Sequence, residues 1–139
     1  MFNPPPPSWR AVPLLVVALA TGTAHAEIWA ITDSAHPLTY VPADVRVIKL
    51  DDQQRIEEQL SRELPPNPHQ AALAARRLMS TPAGAALMQQ LATAQQGNAD
   101  AWSAGVSKVP AVVVDRRYVV YGQPDVAAAM QTINRARGQ

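Results

Sequence analysis

The stretch Gly105–Gly122 reads GVSKVPAVVVDRRYVVYG, and its reading decides the fold. A glycine follows a helical segment and suits the left-handed turn that often ends a helix. A Val-Pro step then opens an apolar run, Val109–Asp115. Arg116-Arg117 makes a short polar break, and Tyr118–Tyr121 is a second apolar run that stops at Gly122. Two apolar runs rich in valine and tyrosine, parted by a few polar residues, predict a β-hairpin. Proline at the start of the first strand is allowed, because that position need not donate to the ladder.

Upstream, Glu27–Thr32 (EIWAIT) favours a strand, Asp33–Asp44 (DSAHPLTYVPAD) a loop, and Val45–Leu50 (VRVIKL) a second strand largely buried on one face. Asp51 is placed as an N-cap with Gln54 closing a capping box, and the helix runs to about Glu63. Leu64–Pro68 (LPPNP) stops it. Asn67 then caps a helix that begins at Pro68, and Thr81-Pro82 repeats that signal. Ala83–Gln96 reads as one helix and Asn98–Ala104 as a further short one containing Trp102. Downstream of the hairpin, Pro124 and Asp125 open a last helix with Val126, Met130 and Ile133 on one stripe. Trp29, Trp102, Tyr118 and Tyr121 are read as core or strand residues. The order strand, strand, helices, strand, strand, helix predicts an α/β sandwich with helices over a mixed sheet.

The first 26 residues read as an address. Arg10 supplies a positive charge, Ala11–Thr21 is an apolar run, and Ala24-His25-Ala26 is a small-x-small cleavage pattern. The run is about half of the ~20 residues a membrane helix needs. A secretory leader cut after Ala26 is therefore expected, leaving 27–139 as a single domain without stable membrane insertion. Arg10 is the only charged residue in the leader, so 12 basic and 11 acidic residues overall become a neutral mature chain. A neutral surface argues against nucleic acid as a direct partner. The chain holds no cysteine, so packing alone must stabilise an exported domain of a size that often carries disulfides.

The hairpin, with a glycine turn before it and a proline at its head, resembles that of the thioredoxin superfamily. That resemblance implies a four-stranded mixed sheet, a cis peptide bond between Val109 and Pro110, and a helical insertion over about 66–104. The Ala-rich helices of that insertion would cover the usual groove or present a surface to a partner. A narrower resemblance spans nearly all of 27–139. TDSAHPL (Thr32–Leu38), VIKLD (Val47–Asp51), ELPPNPHQA (Glu63–Ala71), AWSAGVSKVPAVVVD (Ala101–Asp115) and YVVYGQPDVAAA (Tyr118–Ala129) carry it. These blocks are similar to exported proteins of integrating conjugative elements related to the TrbC component of F-type conjugation systems. The resemblance implies a periplasmic, non-enzymatic role in assembling a type IV secretion or pilus apparatus through contacts with its other proteins.

Redox thioredoxins place a Cys-x-x-Cys after the first core strand, where this chain has Asp33-Ser34-Ala35-His36-Pro37. Disulfide exchange needs a thiolate, and a serine hydroxyl is far too weak an acid to replace it. Thiol redox chemistry by this chain alone is excluded. The expected partner-binding residues are Asp33, Ser34, His36 and Pro37 of the loop with Val109 and Pro110 of the hairpin. A second reading is a holdase-like or redox-accessory module that binds clients without thiol chemistry of its own. A third is a hydrolase using Ser34 and His36, disfavoured because triad members normally converge from separate elements. Asp33 or Ser34 bonding nearby backbone is the simpler reading of the same residues. After the leader, His36 and His69 are the only histidines; a metal site needs three or four ligands, and although carboxylates could complete one, nothing in the spacing points to it, and no cofactor motif is present.

Overall fold

The computed structural model describes residues 25–138. The leader expectation falls almost wholly outside them. Eight elements follow in order: β1 (Ile28–Thr32), β2 (Arg46–Lys49), α1 (Asp52–Glu63), α2 (Pro68–Met79), α3 (Pro82–Ser103), β3 (Ala111–Val114), β4 (Tyr118–Tyr121) and α4 (Val126–Arg137). The strands form one mixed sheet in the order β2-β1-β3-β4. β1 runs parallel to β2 and antiparallel to β3, and β3 and β4 form the hairpin. The architecture is the α/β sandwich expected from the element order.

Strand alternation divides the core into two layers. Ile28, Ala30, Val112 and Val114 face Val126, Ala129 and Ile133 of α4. Trp29, Ile31, Ala111 and Val113 face the other way and meet Ile48 and Ala101 of α3. β1 and β3 are central and buried on both sides, which is why their sequences are continuously apolar instead of alternating. β2 lies at an edge, and within it only Ile48 is buried. Ile48 and Leu50 give the one buried face expected of this segment, while on the other face α4 packs on β3 and β4 and leaves Val47 exposed.

The segment between Ala83 and Ala104 is one continuous helix, not two. Asn98 and Gly97 sit inside it, and Gly97 is there for proximity. A Cβ at that position would stand 3.0 Å from Ile48 Cγ2, so the missing side chain lets α3 approach β2. The helix ends as its glycine indicates. Gly105 adopts φ +70, its N–H donates to Trp102 O (3.0 Å), and Val106 N–H donates to Ala101 O (3.2 Å). That bond pair is the Schellman pattern.

The helix starts were legible in three of four cases. Asn67 Oδ1 accepts from the N–H groups of His69 and Gln70, Thr81 Oγ1 from Gly84, and Asp125 Oδ1 from Ala128. Asp51 is the exception. It holds φ −92 and ψ −3 and makes no side-chain cap, because a residue already in the helical region aims its carboxylate away from the first turn. The hairpin turn also falls one residue earlier than Arg116-Arg117. Asp115 and Arg116 both take φ +53, and Arg117 N–H donates to Val114 O (3.1 Å).

Candidate functional site

The β1–β2 crossover, Asp33–Val45, carries no helix. It is held instead by α4. Thr39 N–H donates to Pro124 O (2.9 Å), and the N–H groups of Val126 and Ala127 donate to the carbonyls of Thr39 (3.0 Å) and Tyr40 (3.2 Å). Two donors that the start of a helix leaves without partners are thereby satisfied by the loop. Leu38 packs into the α4 layer of the core. Because a loop covers this part of the sheet less fully than a helix, a cleft of about 290 Å³ remains beside β2. It is lined by Thr32, Asp33, Ser34, His36, Pro37, Leu38, Val41, Val47 and Lys49.

Asp33 organises the turn at the head of the cleft. Its Oδ1 accepts from Ala35 N–H (3.0 Å) and from His36 Nδ1 (2.6 Å). A carboxylate only accepts, so Nδ1 carries the proton and Nε2 is left as the acceptor nitrogen of the ring. Thr32 Oγ1 donates to His36 O. Asp51 reaches over from the start of α1, and both its oxygens accept from Ser34 N–H at 3.2 Å. Bonding from Ser34, aided by the charge of Arg55, holds the Asp51 carboxyl below its ordinary range. Arg55 Nη1 lies 3.4 Å from Ser34 Oγ and 3.1 Å from Asp52 Oδ1. Asp51 therefore ties the loop to α1 in place of capping it.

Of the expected residues, Asp33, Ser34, His36 and Pro37 line one cleft, whereas Val109 and Pro110 do not. Those two sit next door. Ile31 pairs with Ala111, so continuing the antiparallel register brings Thr32 beside Pro110. Pro110 is buried, Val109 half-buried, and the peptide bond between them is cis. Pro110 O accepts from Gly122 N–H (2.9 Å). The loop and the hairpin head thus share one end of the sheet. Sequence reasoning passed over Val41, Val47 and Lys49 in the cleft. The alternation of Val45–Leu50 could have placed Val47 and Lys49 on one side, but nothing local says that this side lacks a helix.

The serine reading is geometrically poor. Ser34 Oγ has Arg55 as its neighbour, and among the described residues it makes no hydrogen bond to His36. No cluster of three or more metal-ligating side chains occurs among the described residues. A larger polar cavity of about 650 Å³ lies between α1 and α3, lined by Asp52, Arg55, Glu58, Arg62, Gln89 and Gln90 among others. A smaller one of about 200 Å³ is walled by Leu60, Leu64, Leu78, Met79, Leu87 and Met88 with Ala75 and Gly84. No helix of the described residues is long and apolar enough to cross a membrane.

Fold and cleft define a cysteine-free α/β sandwich with a shallow loop-lined cleft at one end of its sheet. The chain belongs to the family described as a protein of unknown function (DUF1525), which matches residues 25–139. Neither the curated proteins nor the solved structures contain a match to it.

Proposed function

We propose that this protein is a non-enzymatic, exported assembly factor of a conjugative secretion or pilus apparatus, holding an extended polypeptide at the Asp33–Leu38 end of its sheet. The observation that carries the reading is the meeting of that loop with the Val109–Pro110 segment in a chain without cysteine. The strand order β2-β1-β3-β4, with β1 and β2 parallel, supports the thioredoxin-like resemblance. In redox members of that superfamily this end of the sheet handles polypeptide. Here the surface persists and the reactive group does not. The neutral mature chain and the TrbC-like blocks support a protein partner in the periplasm over nucleic acid.

The test places a photo-cross-linkable side chain at Ser34 or Pro37 in a donor strain. Covalent capture of a secretion-apparatus protein is expected, together with loss of DNA transfer when the gene is deleted. Normal transfer after deletion, with no such protein captured, overturns the proposal. Ser34→Ala is expected to retain full transfer, since the Ser34 backbone N–H that bonds Asp51 is kept; loss of function in that variant would revive the hydrolase reading.

A further inference from the structure

A second surface lies at the opposite margin of the sheet, and it uses none of the cleft residues. β4 is the edge strand beyond β3. The bond from Gly122 N–H to Pro110 O sets the parity of the ladder. It turns the backbone groups of Tyr118, Val120 and Gly122 toward β3 and those of Val119 and Tyr121 outward. Among the described residues nothing bonds to those outward groups. A four-residue edge written YVVY, with no charge and no proline, is poorly defended against strand addition.

Aromatic exposure marks the same margin. Trp102, expected as a core or strand residue, is instead on a helix and 86% exposed, while Tyr121, a strand residue as expected, is 42% exposed. Val119 belongs to the apolar cluster that includes Ala101 and Ala104. Alternation puts Tyr121 on that face as well, and its hydroxyl lies 3.5 Å from Gly105 O at the end of α3. Trp102 is on the last turn of α3. An aromatic side chain left partly in water on an open edge strand, as Tyr121 is, is the composition of an interface centre.

Charge selects the occupant. Arg116 is paired with Glu27 and Arg137 with Asp115. Arg117 at the start of β4 and Lys108 near its end are both exposed, and neither makes an ion pair among the described residues. The nearest acid after the strand, Asp125, is engaged with Ala128 N–H. A second copy pairing antiparallel across a two-fold axis would bring Arg117 of one toward Lys108 of the other, which repels. An incoming strand with acidic side chains meets a cation at both ends.

We propose that the β4 edge takes an extended acidic segment of a partner protein as a fifth strand, with Tyr121 packing over it. Backbone hydrogen bonds would supply the grip, and the flanking cations the preference. The probe is a blocked heptapeptide alternating glutamate and valine, set against its lysine counterpart. At saturating peptide the Val119 and Tyr121 amides are expected to exchange with deuterium at least tenfold more slowly. The lysine peptide is expected to bind at least tenfold more weakly. Val119→Pro removes an outward donor, together with some packing against Ala101, and is expected to weaken binding tenfold or more. Arg117→Glu, an exposed change, provides the same readout should the proline variant melt early. Unchanged exchange at both amides, equal binding of the two peptides, or a self-associated chain that protects those amides without peptide each overturn the proposal. The result is read in purified protein, so it stands or falls apart from the cleft.

Discussion

Two glycines show how differently the same residue type serves the fold. At Gly84 a Cβ would lie 1.8 Å from Leu78 O, in the last turn of α2. Neither backbone can yield without moving a helix, so Gly84→Ala is expected to destabilise the protein by about 2–3 kcal/mol in denaturant melts, the upper range for overpacking. At Gly105 there is empty space within 4 Å, but φ is +70. Gly105→Ala meets only the left-handed penalty and is expected to cost about 1 kcal/mol. Equal losses at the two positions would refute the distinction. Asp100 illustrates charge. Its carboxylate accepts from Arg46 Nη1 at 2.6 Å and from Gln96 Nε2 at 2.9 Å. The Arg46 bond, then the Gln96 bond, hold its carboxyl below the usual 3.8. A depressed folded value contributes stability above the unfolded value, and that contribution is lost as pH falls through the folded one. Asp100→Asn is therefore expected to flatten the loss of melting temperature below about pH 4. The same arginine lies 5.7 Å from the Trp29 ring centroid and Arg116 lies 4.8 Å from it, so the buried indole is flanked by two cations.

Among the elements, α3 does two jobs because of its length. Its second half brings Gly97, Asp100 and Ala101 against the sheet, while its first half carries α1 and α2. Neither α1 nor α2 has a buried residue. Their apolar stripes meet in the small cavity beside Leu87, and Leu73, Met79 and Met88 remain exposed. Helices with so little burial open at low free energy. Hydrogen exchange is expected to find the amides of α1 and α2 far less protected than those of β1 and β3. Uniform protection across both groups would show the helical arm to be cooperative with the sheet. The loop Asp33–Val45 belongs with the sheet in this respect, since its carbonyls complete the start of α4 and Asp51 bonds its Ser34 amide.

The whole molecule is a sheet covered on one side by α3 and on the other by α4 and a loop. Its two candidate surfaces follow from what those covers leave open: the cleft beside β2 and the free edge of β4. Much of this was written locally. The valine runs, the Asn67 and Thr81 caps, the Gly105 stop and the stripe on α4 each depend on a residue and its near neighbours, so periodicity and turn chemistry were enough to place them. The chemistry that is absent was equally plain, since no arrangement of a cysteine-free chain supplies a thiolate. The sequence could not say that Asp51 would serve Ser34 and not its own helix, because that choice depends on a loop brought back by the crossover. It could not say that α3 would run unbroken through Gly97, because the reason for that glycine is Ile48 on a distant strand. Nor could it separate buried Trp29 from exposed Trp102, two indoles in similarly apolar settings. Local sequence determined which segments became helices and strands; only their packing against one another decided which side chains met, which stayed in water, and therefore where a partner finds a surface.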